Sequence, residues 1–147
     1  MRAFFNQLFD YNFHFNKKLI ETCLELKTVP EEVIRLFSHI LNAHHLWNAR
    51  MLGIPPEIDV WQLHEPSDWG ELHYENQRNS FEIITNAENF EKRIDYESSE
   101  GQRYSNTLQD ILFHIVNHST HHRAQISSVF RSDGLEPIPM DYIIYKR

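Results

Sequence analysis

The chain has 147 residues, 41% of them apolar and 13% aromatic, which suits one domain with a real core and excludes a disordered segment. A net charge of −7 without any basic cluster argues against nucleic-acid binding, because neutralising phosphates needs lysine and arginine gathered on one face. Cys23 is the only cysteine, so no internal disulfide can form, and four glycines with few valine or threonine runs favour helices over a many-stranded sheet.

The N-terminus, MRAFFNQLF, soon reaches Asp10, His14, Lys17 and Lys18 and has no long apolar core, so no signal peptide is read. No stretch approaches the roughly eighteen apolar residues of a membrane span. The expectation is a cytoplasmic protein, a single domain over residues 1–147, with no membrane or nucleic-acid partner.

A first helix is expected from Ala3 to Leu26, with Phe4, Phe5, Leu8, Phe15, Leu19 and Cys23 along its apolar stripe. Asn12 and Asn16 fall on or beside that stripe and read as buried amides with local partners. Thr28 and Glu31 have capping-box spacing around Pro30, so a second helix should start there. It should run to about Leu52 and stop at Gly53, before Pro55 and Pro56. Its inward face includes Val33, Leu36, Phe37, Ile40, Trp47 and Met51, and it also carries His39, His44 and His45.

A proline-containing loop with Trp61 leads to a weaker third helix, about Trp69 to Thr85, with Leu72, Phe81, Ile83 and Ile84 as its apolar contacts. Arg93–Tyr96 and Gln102–Tyr104 flank Glu100-Gly101 as a short hairpin, which must lean on the helices to be stable. Thr107 and Asp110 again have capping-box spacing, and a fourth helix follows and ends near Gly134. The tail, with Ile138, Tyr142, Ile143, Ile144 and Tyr145, should pack over the helices as an extended arm or short turn.

The fourth helix holds four of the ten histidines: His114, His118, His121 and His122. With His114 at 0° on a helical wheel, the apolar face centres near about 100°, His118 falls near 40° and His122 near 80°. These two therefore lie one turn apart at the edge of the buried face, where two imidazoles can share one divalent ion. A third ligand should come from another helix. The wheel places His44 near the centre of the second helix's apolar face and His39 at its edge, and leaves both open. His45 points to solvent, and His14, His64 and His73 read as surface or loop residues. There is no serine triad pattern, glycine-rich phosphate loop, cysteine pair or Glu-x-x-His helix. Two or three histidines with an open position suit a catalytic metal site more than a structural one.

Four pieces, in order, carry a family likeness: SHILNAHHLWNARMLG from Ser38 to Gly53, the Glu100-Gly101 turn, HIVNHSTHHRAQI from His114 to Ile126, and GLEPIPMDYIIY from Gly134 to Tyr145. Together they resemble the DinB-like (DinB/YfiT type) metal-binding family over nearly the whole chain. The resemblance implies an all-α four-helix bundle, up-down-down-up, with a short β-hairpin before the last helix. It implies one divalent metal ion held by His39, His118 and His122, with His44 as the alternative to His39. Zinc or nickel comes first, with iron, manganese or copper as alternatives, since imidazole suits them all.

Arg123 matches the family's arginine after the second histidine and reads as a salt-bridge or helix-end residue; Trp47 and Arg50 read as packing or pairing structurally. Relatives imply a metal-dependent thiol S-transferase-like enzyme acting on a small electrophile with a low-molecular-weight thiol, and a homodimer. A metal-dependent hydrolase and a non-catalytic metal-binding homodimeric interaction protein are the competing expectations.

Overall fold

The computed structural model describes residues 1–147. Four long helices dominate: α1 (Arg2–Glu25), α2 (Glu31–Leu52), α3 (Trp69–Asn86) and α4 (Leu108–Ser132). A one-turn 3₁₀ helix at Pro66–Asp68 leads into α3, and a one-turn α5 (Tyr142–Tyr145) closes the chain. Between α3 and α4, β1 (Arg93–Glu97) and β2 (Arg103–Thr107) form an antiparallel hairpin in which Tyr96 faces Tyr104. No helix is long and apolar enough to cross a membrane.

Local chemistry explains most of the boundaries. Helix α2 ends because Gly53 adopts a left-handed conformation, φ 69°, while the amides of Gly53 and Ile54 close on Arg50 and Ala49 carbonyls. Gly101, at φ 83°, supplies the hairpin turn, where the Ser98 amide donates to the Gln102 carbonyl. The Thr107–Asp110 capping box is formed at the start of α4: the Asp110 amide donates to Thr107 Oγ1 at 3.2 Å, and the Thr107 amide to Asp110 Oδ2 at 3.4 Å. Replacing Thr107 by alanine should cost about 1 kcal/mol of stability, read as a lower urea midpoint at unchanged slope.

The expected cap of the second helix does not form. Pro30 occupies the N-cap position of α2, and no side chain bonds to that end. Glu31 and Glu32 instead place negative charge in the first turn, where the helix dipole favours it. Phe81 was expected inside but is 56% exposed; Trp69, Ile83 and Ile84 make the buried face of α3.

Residue pairings fix how the helices lie. Phe37 packs on Trp69, Asn76 Nδ2 donates to the Leu41 carbonyl, and His44 meets Ser80, so α2 and α3 run alongside in the same sense. Trp47 meets His114 while His39 meets His118, so α2 and α4 run in opposite senses. Arg2 of α1 donates to the Ile84 and Ala87 carbonyls, and His73 reaches the Phe13 carbonyl, so α1 opposes α3.

The core has two apolar clusters. Phe5, Phe9, Phe15, Ile84, Ile111 and Leu112 belong to one. Leu19, Cys23, Phe37, Trp69, Ile126 and Phe130 belong to the other. Each helix passes from one cluster to the other through buried polar residues: Asn16 in α1, Asn42 and His44 in α2, His73, Asn76 and Ser80 in α3, Ser119 and Arg123 in α4. Most of their polar atoms find partners, on one another or on backbone carbonyls, across the middle of the molecule; His73 Nδ1 and Arg123 Nε are left without one. The candidate site sits at this level, on the seam between α2 and α4.

Candidate metal centre

Three imidazoles converge at the α2–α4 seam. His118 Nε2 lies 3.1 Å from His39 Nε2 and 3.1 Å from His122 Nε2. All three ligand-type nitrogens fall within 4.8 Å of one another. Helix α4 contributes His118 and His122 because four residues make about one turn. Helix α2, running the other way, brings His39 to the same level.

The outer nitrogens decide the protonation pattern. His39 Nδ1 lies 3.0 Å from the Val60 carbonyl, an obligate acceptor, so this nitrogen carries the proton and Nε2 presents a lone pair. His122 Nδ1 lies 2.7 Å from Gln125 Oε1, and the same reasoning leaves a lone pair on its Nε2. Both lone pairs point at His118 Nε2, which can donate at most one proton. At least one pair of nitrogens therefore faces the other with no proton between them. A cation at the centre satisfies all three. Two ligands about 2.05 Å from a tetrahedral ion stand roughly 3.3 Å apart, close to the separation found here. The donor set thus fits a divalent ion, and the Nδ1 atoms of His39 and His122 are anchored as those of metal-ligating histidines usually are.

Electrostatics keep the triad neutral. Burial, followed by the neighbouring His122, His39, His114 and His121, pushes the His118 pKa down to about 3. His39 and His122 are also held below the ordinary imidazole value, chiefly by burial. Neutral imidazole is the form that ligates a metal.

The loop between α2 and α3 supports His39. Asn42 Nδ2 donates to the carbonyls of Val60 at 3.2 Å and Gln62 at 2.8 Å, and Asn42 Oδ1 meets His64 Nε2 at 2.6 Å. The Trp61 ring stacks on His39, centroids 3.8 Å apart and 9° from parallel, and Arg35 lies over the indole at 4.9 Å. Replacing Asn42 by alanine frees the Val60 carbonyl. Metal affinity should fall about tenfold with the three histidines intact, as competition against a chelating dye would show.

Beside the triad lies an open cleft of about 340 Å³, lined by His39 and His118 and by Trp47, Arg50, Tyr96 and Tyr104. Arg50 is clamped between the Trp47 and Tyr96 rings, 4.5 and 4.6 Å away, and donates to the Glu97 carbonyl. The packing role read for Trp47 and Arg50 is what the structure displays. The hairpin therefore forms one wall of the space that the triad opens into.

The other histidines are placed as follows. His44 is buried on the far side of α2, its Nε2 2.7 Å from Ser80 Oγ, and takes no part in the cluster. His114 and His121 are exposed on α4. His45 accepts from the Glu57 amide, and His14 is exposed. Two expectations are corrected. His73 is 2% exposed and stacks on Phe13, centroids 4.6 Å apart, because α1 covers that face of α3. His64 is partly buried, tied to Asn42 rather than loose on the surface.

Arg123 is corrected as well. It is 1% exposed and makes no ion pair; its guanidinium donates to Asn12, Asn16, Ser119 and Thr120. Asn12 and Asn16 are buried amides, but their partners are on α4 rather than local. Sequence reasoning missed Asn42, Gln125 and Trp61. Gln125 lies three residues after His122, a spacing that could have found it.

A model of the DinB family matches residues 1–147. The chain belongs to the DinB family. It is also similar to Protein DinB of Bacillus subtilis (strain 168), 22% identical over 169 residues that cover 99% of this chain and 95% of that protein. In this DinB-family chain the three clustered histidines come from the same two segments, Ser38–Gly53 and His114–Ile126, that carry the likeness in sequence.

Proposed function

We propose that this DinB-family protein binds one divalent metal ion through His39, His118 and His122 and acts as a metal-dependent thiol S-transferase on a small electrophile. The observation that carries the proposal is the convergence of three Nε2 atoms, two of them fixed as lone-pair donors by Val60 and Gln125. Zinc or nickel is the ion proposed, because both accept three imidazoles and leave positions free. When bound, the ion would supply the positive charge that keeps a thiol cosubstrate ionised near neutral pH.

The chain's own residues do the rest. Cys23 is fully buried in the apolar core, its thiol pushed up to about 12 by burial, so the thiol comes from a second small molecule. Trp47, Tyr96 and Tyr104 offer aromatic surface for the apolar body of an electrophile, and Trp61 screens the outer face of His39. The transferase reading is preferred to hydrolysis because this aromatic wall stands next to the triad.

We further propose that the four long helices form a single-domain four-helix bundle, up-down-down-up. The parallel α2–α3 pairing and the antiparallel α2–α4 and α1–α3 pairings support it. A lone thiol without a disulfide suits the cytoplasm. A homodimer is proposed as well, and sedimentation or light scattering of the full chain would test it.

The test is ligand-induced stabilisation. Small thiols should raise the melting temperature of the metal-loaded protein and leave His118→Ala unaffected. If thiols do nothing while hydrolytic substrates turn over on the loaded protein, the transferase reading is lost.

A further inference from the structure

A second site lies on another face of α4. Arg123 is 1% exposed, yet no carboxylate answers its charge. The molecule's ion pairs are Lys17–Glu21 and Arg35–Glu32, and neither involves Arg123 or Arg131. The Tyr11 ring centroid lies 5.3 Å from the guanidinium carbon and offsets part of the charge, but a buried guanidinium with no opposite charge is still costly, because desolvation is met only by hydrogen bonds and a ring face.

Its hydrogen bonds are also incomplete. Nη1 donates to Asn12 Oδ1 at 2.7 Å, Asn16 Oδ1 at 2.9 Å and Ser119 Oγ at 2.9 Å. Nη2 donates to Thr120 Oγ1 at 3.0 Å. Nε is buried and has no acceptor, and neither has the adjacent Asn12 Nδ2. Both orphans are donors. What is missing around Arg123 is therefore an acceptor, and the unanswered charge makes it an anionic one.

Arg123, though not Asn12, forms part of the wall of an open space. A cleft of about 390 Å³ opens between α4 and the segment Ile138–Asp141, with Tyr11, Thr120, Arg123, Ser127, Arg131 and Asp141 on its walls. The Tyr11 hydroxyl donates to the Met140 carbonyl at 3.0 Å and holds the tail in place as one wall. Arg131 brings a second positive charge, and Thr120 and Ser127 bring hydroxyls. Asp141 is the one acidic side chain on the lining and works against an anion.

We propose that this cleft binds a small oxyanion, a carboxylate or a phosphate, between Arg123 and Arg131. The site is separate from the histidine triad. His122 and Arg123 are neighbours in sequence, but one side chain meets α2 and the other meets Asn12 and Asn16 of α1.

The test uses the full chain carrying His118→Ala and His122→Ala, treated with chelator, so that no anion can bind through a metal. Inorganic phosphate and acetate are titrated separately against sodium chloride of equal ionic strength, with thermal stability and calorimetry as readouts. Saturable stabilisation by phosphate alone, acetate alone or both supports the proposal and names the anion. In Arg131→Gln, an exposed position that should not disturb folding, affinity should fall about tenfold, the usual cost of losing one charged contact. In Asp141→Asn it should rise about threefold, because a like charge is removed. Stabilisation no greater than that of chloride, or equal stabilisation in Arg131→Gln, overturns the proposal.

Discussion

Substituting alanine for His118 should abolish stoichiometric metal binding. Of the three imidazoles, His118 is the one whose Nε2 stands 3.1 Å from both others, so its loss removes the shared neighbour of the set. Changing a residue that merely orients a ligand costs ten- to a hundredfold in affinity, so losing a ligand should cost at least about a hundredfold. The fold should survive, since His118 is only partly buried and its substitution opens no sealed cavity. Metal content of untagged protein, by elemental analysis, is the measurement. It should be about one ion per chain in the parent and close to none in His118→Ala, with matching far-ultraviolet circular dichroism. His39→Ala should resemble His118→Ala, and His44→Ala should keep its metal while losing stability, because His44 serves Ser80 instead. Equal metal in the parent and in His118→Ala would remove the site altogether.

That contrast between His39 and His44 shows what a sequence can and cannot convey. The wheel placed His44 at the centre of the apolar face, and His44 is indeed the more buried, 4% exposed against 7%. Burial did not pick out the histidine that joins the cluster. The cluster lies where two helices part, which puts its residues at the edges of their apolar faces. His118 and His122 obey the same rule, and for them the wheel angle was informative. Helix ends, the hairpin and the α4 capping box were legible because each depends on neighbours in sequence. The polar layer through the middle was not. Arg123 and His73 look like ordinary surface residues until α1 is laid across them, and periodicity says which way a side chain points, never what it meets. The same limit hid Asn42, whose partners lie on a loop that follows its own helix.

The polar layer also predicts strong acid sensitivity. Burial lowers the pKa of His44 to about 3 and that of His73 to about 4; for His73 the bond to the Phe13 carbonyl opposes the shift and the Arg123 guanidinium adds to it. An unfolded histidine titrates near 6.5. Both groups are therefore neutral in the folded protein and become protonated in the unfolded chain as pH falls below 6.5. The unfolded state then binds more protons, so stability is fully present above about pH 6.5 and declines on acidification. At pH 5 both folded values still lie below the ambient pH, so the loss reflects unfolded-state titration, about 2 kcal/mol for each group and roughly 4 kcal/mol for the two. That is a large share of the 5–15 kcal/mol typical of a domain, expected here to about the same order. Urea unfolding of metal-free protein at pH 7.5 and pH 5 gives the total difference, to which His118, also held at about 3, adds its own share, and about three or more protons should be taken up on unfolding at the lower pH. His44→Gln should flatten the dependence by about one proton, because an amide can face Ser80 without titrating. The two surface ion pairs, both exposed and close in sequence, cannot produce such an effect. A stability at pH 5 equal to that at pH 7.5 would mean that His44 and His73 are charged in the folded protein, and the buried network around Ser80, Asn48 and Asn76 would then have to be arranged differently.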